Sequence, residues 1–426
     1  MEKNFILKGN VCYSKDKENV ITKENAYIIC VNGISKGVFD VIPEEYADLA
    51  LIDYGDCLIV PGLIDLHIHA PQFAYRGLGM DMELLDWLNE HAFPEEAKYA
   101  DEDYAKKAYG MFVEDMKKGA TTRACIFASR HVGGTGILME LLDQAGLAAY
   151  VGKVNMDRNA PDYLREKDAQ ESLSDTREWI EDTQNRYVKV KPMLTPRFIP
   201  SCTDDLMKGL GELQKEYQLP VQSHLSENPS EIKWVQELCP WSDNYGDAYE
   251  HFGLFGGDTC PTIMAHCVYS DEAEIRRMKE QGVFIAHCPQ SNENIASGIA
   301  PVRTYLDLDM NIGLGSDIAG GSSSSIFRAM VDAIQVSKLR WRLQDSDLKG
   351  LNMEEAFYMA TKGGGAFFGN VGSFEEGYEL DAVILDDKTL PHPQELILRD
   401  RLERMIYLSD DRHIVGKYVA GEDILS

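Results

Sequence analysis

Between residues 61 and 372 the chain alternates short apolar strand runs with helical stretches, and this rhythm limits the fold more than any other feature. The strand runs fall near 63–68, 120–127, 148–154, 187–195, 219–224, 262–266, 282–287 and 311–316. Strands interleaved with helices predict a parallel α/β domain. Eight of them favour a closed (β/α)8 TIM-like barrel over an open sheet. Such a barrel takes about 250 residues, and the 426 available leave a surplus at both ends. Phe5–Lys8, Asn10–Tyr13, Ala26–Val31, Leu51–Tyr54 and Cys57–Val60 read as strands, as do Ala382–Leu385, Arg404–Leu408 and His413–Val419. Neither set suffices alone. Joined, they predict a small β-sandwich built from residues 1–60 and 373–426, beside a barrel domain of 61–372. Amphipathic helices are expected over Ser325–Leu339 and Met353–Phe368.

In a barrel of this kind the C-terminal strand ends share one face, where active sites sit. The first run ends in His67 and His69, and residues two apart on a strand point to one side. Three more runs end in His224, His266 and His287, and the last ends in Asp317. A single histidine closing a buried strand reads as a packed core residue; several on one barrel face point to a metal site. Neutral imidazoles with one carboxylate suit Zn²⁺, with Fe²⁺ as a close competitor. Glu227, three residues after His224, alone reads as a solvated loop residue. Paired with Asp317 it can share general acid and base work.

Thr195-Pro-Arg-Phe198 ends the fourth run. Arg197 offers a planar fork for an acceptor oxygen and Phe198 a face for a flat ring, against an exterior ion pair and core packing as the plain alternatives. The first connection, Gln72 to Glu96, is long and carries Phe73, Tyr75, Leu84, Leu85, Trp87 and Phe93. It reads either as an aromatic lid or, at Met82–Leu88, as an exterior helix. The tract Gly320–Ser325 reads as a helix cap. His91, His131, His251, His392 and His413 read as surface or satisfied residues.

The formal charge of −28 opposes binding to nucleic acid or anionic membranes. Nine scattered cysteines with no C-x-x-C predict reduced thiols and a cytoplasmic setting. No signal peptide is expected in MEKNFILKGN, and no run reaches the ~20 apolar residues of a membrane span. H-x-E with P-C-x-x-C is absent, as is H-E-x-x-H, which removes the small zinc deaminase and common metalloprotease patterns.

Pro61-Gly-Leu-Ile-Asp-Leu-His-Ile-His69 resembles the first-strand signature of the amidohydrolase superfamily. His69-Ala-Pro-Gln72, Thr195-Pro-Arg-Phe198, Ser223-His-Leu-Ser-Glu227, Met264-Ala-His266, Ala286-His-Cys-Pro-Gln-Ser-Asn292 and Gly313-Leu-Gly-Ser-Asp-Ile-Ala-Gly-Gly321 extend the likeness from about residue 55 to 375, and resemble its guanine-deaminating branch. The resemblance implies a metal shell of His67, His69, His224 and Asp317 holding one Zn²⁺ per subunit, or Fe²⁺. It implies catalytic roles for Glu227, His266 and Asp317 in a water-dependent deamination. It also implies a small-molecule purine bound by Gln72, Arg197 and Phe198 together with His224, Glu227 and Asp317, and a homodimer. Many superfamily members bridge two metals with a carboxylated lysine after the fourth strand. Here that strand end reads Met193-Leu-Thr-Pro, with Lys191 two residues earlier, which matches the mononuclear branch. Two alternatives stand beside this: a deaminase or hydrolase of another aminated heterocycle (a pterin, 8-oxoguanine, an s-triazine), and a non-catalytic scaffold, which would be expected to have lost ligands.

Overall fold

The eight expected barrel strands form. In the computed structural model, which describes residues 3–425, they are Leu63–His69, Thr121–Phe127, Ala148–Gly152, Val190–Pro192, Val221–Leu225, Thr262–His266, Phe284–His287 and Ile312–Leu314. They pair in parallel as two four-stranded arcs. A bridge from Leu194 to Val221 joins the arcs on one side. On the other, the Asp317 N–H donates to the His67 carbonyl (2.8 Å) and the His69 N–H to the Ile318 carbonyl (3.2 Å). The barrel is therefore closed.

The fourth strand is shorter than 187–195. Pro192 and Pro196 lack the N–H a ladder needs, and the run splits into Val190–Pro192 and Thr195–Pro196, the second pairing with Val154–Asn155. This break carries Arg197 onto the C-terminal face. The first strand holds a second irregularity. Ile64 and Leu66 pack in the barrel interior and Leu63 and Ile68 outside it, so the alternation changes phase between Leu66 and His67. The register with the second strand shifts between Asp65 and Ile68, as at a β-bulge. The Asp65 carboxylate secures the kink, accepting from the His67 N–H (3.1 Å), the Ser316 N–H (3.0 Å) and the Ser316 hydroxyl (2.5 Å).

The two termini combine as expected, in one hydrogen-bonded mixed sheet. Among the described residues its seven strands run in the order Glu422–Asp423, Ile414–Val419, Ala382–Leu385, Ala50–Pro61, Phe5–Ser14, Val20–Val31, Ile34–Phe39. The runs read as separate strands at Phe5–Lys8 and Asn10–Tyr13 merge, with a register shift between Gly9 and Val11. Arg404–Leu408 is not a strand. It ends the helix Leu398–Leu408, whose buried Leu398, Leu402, Met405 and Ile406 recur at helical spacing. Five apolar-rich residues cut from that stripe imitate a strand. The fully buried Lys417 ties the sheet to the barrel. Its ammonium donates to the Met116 (2.7 Å) and Gly119 (2.8 Å) carbonyls at the C-terminal end of the helix Glu102–Lys118, where a cation is favoured.

The helix expected at 325–339 runs Ile326–Leu343 with Ser325 as its cap, so the serine tract is accounted for in part by capping. The stretch 353–368 begins as the helix Met353–Tyr358 and continues through a wider turn, Met359–Gly363. All nine cysteines are free and buried. Among the described residues no helix is long and apolar enough to cross a membrane.

Candidate active site and metal centre

Three histidines from two strand ends converge on the barrel axis. The donor nitrogens of His67, His69 and His224 lie within 4.8 Å of one another. His69 Nε2 and His224 Nε2 are 3.3 Å apart, and Asp317 Oδ1 stands 3.2 Å from His67 Nε2 and 3.5 Å from His69 Nε2. The His224 Nδ1–H donates to the Arg197 carbonyl (2.6 Å), which leaves Nε2 as a lone-pair donor aimed at the centre. His67 is wholly buried; its Nδ1 has no hydrogen-bond partner and its Nε2 faces the Asp317 carboxylate.

Burial holds His67 below the usual imidazole range and His69 and His224 well below it. Burial pushes the Asp317 carboxyl up, but the imidazoles around it, His67 first, hold it well below its usual range. Neutral imidazoles and an ionised carboxylate are the forms that bind a metal. The donor set fits one divalent cation.

The eighth strand reaches this centre because Gly315 has no side chain: a Cβ there would lie 2.9 Å from His67 Cβ and 2.8 Å from Cys288 Sγ. Ser226, His266 and Asp317 have φ of 47°, 73° and 46°. Left-handed backbone costs of order 1–3 kcal/mol per non-glycine residue and collects at functional sites.

A second layer of groups stands beside the donors. His266 Nδ1–H donates to Asn292 Oδ1 (2.9 Å), and its Nε2 faces Glu227 Oε2 at 3.4 Å and Asp317 Oδ2 at 3.8 Å. Burial pulls His266 down, but Glu227 and Asp317 outweigh it and hold the imidazole above its usual range. Burial pushes Glu227 up, with His266 opposing and Asp317 assisting. Ser297 Oγ donates to Glu227 Oε1 (2.9 Å). Two carboxylates within reach of one imidazole are thus driven apart, Glu227 toward holding a proton and Asp317 toward giving it up.

These groups open into a pocket of about 410 Å³ lined by His69, Gln72, Arg197, Phe198, His224, Glu227, His266 and Asp317, with Leu84, Trp87, Leu88 and Ile295 above. The long first connection is therefore a lid, and the first turns of its helical stretch, Leu84–Trp87 and Leu88–Ala92, contribute Leu84, Trp87 and Leu88 to the pocket. Phe198 is buried and meets Trp234 edge-on at 6.2 Å. His287 ends its strand as expected but lies outside the converging donors, buried and pulled down to about 3 chiefly by burial. Lys191 points elsewhere, donating to the Tyr187 carbonyl (2.6 Å).

Residues 58–423 match the amidohydrolase family. A guanine deaminase of Dictyostelium discoideum is 39% identical over 98% of this chain and 98% of its own.

The chain belongs to the amidohydrolase family.

Solved structures agree with this membership. The guanine deaminase of C. acetobutylicum with bound guanine superposes with a TM-score of 0.96 at 48% identity, covering 99% of this chain and 100% of that one. The E. coli guanine deaminase gives 0.88 at 31% identity, over 98% and 99%.

In this amidohydrolase several site residues escape sequence reasoning. Glu96 lies at the end of the lid and pairs with Arg197, 101 positions away. Phe127 packs against the rings of His67, His69 and His224 at 4.9, 4.5 and 5.0 Å. Its place at the C-terminal end of the second strand was the available signal. Glu231, also at the pocket, receives the Tyr245 hydroxyl (2.8 Å) and the Glu227 N–H (3.2 Å). Its position after Asn228 at a helix start was legible as a capping box, and the structure has one. Of the five histidines set aside, His413 is buried and accepts the Asp410 N–H (3.1 Å), whereas His131 departs from expectation: its Nε2 is buried without a partner.

Proposed function

We propose that this amidohydrolase is a guanine deaminase: it hydrolyses guanine to xanthine and ammonia at the pocket over His67, His69, His224 and Asp317. The observation that carries this is the convergence of a three-imidazole, one-carboxylate centre with a buried arginine fork in one pocket. The likeness to guanine deaminases along the whole chain supports the same substrate.

One Zn²⁺ per subunit is the ion we assign, with Fe²⁺ as the competitor, because the donors are neutral nitrogens and one carboxylate. Such an ion supplies Lewis acidity, lowering the pKa of water from ~15.7 to about 7. The chain's own residues do the rest. Asp317, ionised against its burial, accepts a proton from the attacking water. Glu227, raised by burial, gives a proton to the ring nitrogen beside C2 and makes that carbon electrophilic. His266, between the two carboxylates, orients the oxygen as its bond to C2 forms. The C2–N bond then breaks: the proton held by Asp317 leaves with the amine as ammonia, and the proton still on the new C2 oxygen returns to Glu227 as the carbonyl forms. Arg197 meets the oxygen at C6, the free N–H of Gln72 helps hold the polar edge, and Phe198 packs on the ring. His224, Glu227 and Asp317 complete the substrate's surroundings.

The nine free cysteines support a cytoplasmic setting. We further assign a homodimer, for which exposed Leu339 and Leu343 at the end of one barrel helix offer apolar surface.

The test is ammonia release from a purine and heterocycle panel, with metal measured on the same sample. Guanine should be turned over and adenine should not, because adenine carries no amine at C2 and turns an amino donor toward Arg197. A site built on a polar partner rejects an analogue lacking it by roughly 10⁴–10⁵. Adenine, a pterin or an s-triazine hydrolysed as fast as guanine would overturn the assignment.

A further inference from the structure

We propose that Glu96, in the lid, sets the selectivity of this site by holding the Arg197 guanidinium in one orientation at the pocket wall. This rests on guanine being the substrate and on Arg197 meeting its C6 oxygen. Glu96 does not line the pocket; it is a positioning residue that works through Arg197.

Both side chains are 3% exposed. Arg197 Nη1 donates to Glu96 Oε2 (2.5 Å) and Nη2 to Oε1 (3.1 Å). Oε1 also accepts from Gln72 Nε2 (2.9 Å), and Gln72 Oε1 accepts the Ala319 N–H (3.0 Å). Connections leaving the first and fourth strands are thereby tied through one carboxylate, and the eighth joins them through the Gln72 side chain. Phe93, three residues before Glu96, places its ring 5.0 Å from the guanidinium carbon.

A guanidinium has five N–H donors and no acceptor. The end-on pair with Glu96 uses two and fixes the plane, so the remaining donors have set directions. The pocket wall then offers only donors at that point, which suits an oxygen at C6 and opposes an amino group. Glu96 also neutralises the cation. The other carboxylates at the pocket, Glu227, Glu231 and Asp317, are left clear of an ion pair that would compete with proton transfer. Released from Glu96, the arginine fork loses both its plane and its counterion.

The experiment compares kcat/KM for guanine and for 2,6-diaminopurine, which keeps the C2 amine but replaces the oxygen at C6. Products are resolved by chromatography, and the proteins are wild type, Glu96→Gln, Glu96→Asp, Arg197→Met and the Glu96→Gln/Arg197→Met double variant, each with metal content measured. Glu96→Gln should lower kcat/KM on guanine by about 10²-fold, the scale of a small misplacement of a binding group. It should narrow the preference for guanine over 2,6-diaminopurine at least tenfold, and add less than about twofold to the loss in Arg197→Met. Should Glu96→Gln fail to fold, Glu96→Asp, which keeps the charge but withdraws it by one methylene, must narrow the preference as well. Equal losses on both purines, losses that multiply in the double variant, or an unchanged preference in a folded Glu96→Asp would overturn the proposal. A wild-type protein inactive on guanine would instead overturn the substrate assignment itself.

Discussion

Replacing Glu227 by glutamine separates proton transfer from everything else that residue does. Its Oε1 accepts from Ser297 Oγ and its Oε2 faces His266 Nε2. In the variant, the amide can place its nitrogen toward the Ser297 oxygen, since a hydroxyl accepts as well as it donates. The amide oxygen then occupies the place of Oε2. The amide is neutral and of the same size as the protonated carboxyl that serves as the acid, so the swap rearranges hydrogen bonds without adding a charge. The stability change should stay within about 1 kcal/mol, the net worth of a typical hydrogen bond.

The catalytic loss is of another order, because glutamine has no proton to give the ring nitrogen. General acid–base groups contribute about 10²–10⁴-fold, which at ~1.36 kcal/mol per decade is roughly 2.7–5.4 kcal/mol of barrier. The assay is steady-state ammonia release from guanine, with melting temperature and metal content measured on the same preparation. kcat should fall by two to four decades with melting temperature and metal content nearly unchanged. A variant with wild-type kcat and a raised KM would refute the acid role and leave Glu227 a binding group only.

Asp317→Asn should abolish turnover even where metal is retained, because the amide keeps the size but cannot take the water's proton; a variant still turning over at the wild-type rate would count against this role. His67→Ala should lower bound metal as measured by elemental analysis, and full metal with full activity would place the ion elsewhere. Lys417→Met should destabilise the fold by about 1–3 kcal/mol in chemical denaturation, since it strips the donor from buried helix-end carbonyls. Burial pulls the Lys417 amine down to about 7 from 10.5, so between those values the unfolded chain binds the extra proton. Stability from this group therefore rises with pH across that window, by at most ~1.4 kcal/mol per unit, and is least favourable below pH 7. The difference between wild type and Lys417→Met should show that slope; parallel pH curves would exclude it. Light scattering should give twice the mass of one chain, and a monomer at assay concentration would remove the homodimer.

What the sequence made legible follows the physics of strands. A barrel strand is a local object: an apolar run marks it, and its last residue lands on a known face. His67, His69, His224, His266 and Asp317 could be placed on that basis without knowing their neighbours. Details set by backbone geometry were less accessible. The two-residue spacing of His67 and His69 held, but the bulge that turns both toward the donors depends on Asp65 bonding across to Ser316, 251 positions away. Arg404–Leu408 misled for a related reason, since five residues are too few to separate a period of 2 from one of 3.6. Lid residues were named without their partners, because a connection of that length can meet any of its neighbouring loops once the barrel closes.

The site divides its labour between strand ends and connections. The residues assigned as metal donors and proton carriers occupy strand ends or the positions just beyond, where the closed barrel holds them to fixed separations. Gln72 and Arg197, assigned to the substrate's edge, sit on connections and are held together by Glu96. Changes in the first set should cost metal or rate on every substrate, because the strands leave no slack to absorb them. Changes in the second set should redistribute rate among heterocycles while the metal stays bound. With the assigned metal donors intact, substrate preference should therefore move with substitutions between Gln72 and Glu96 and within Thr195–Phe198.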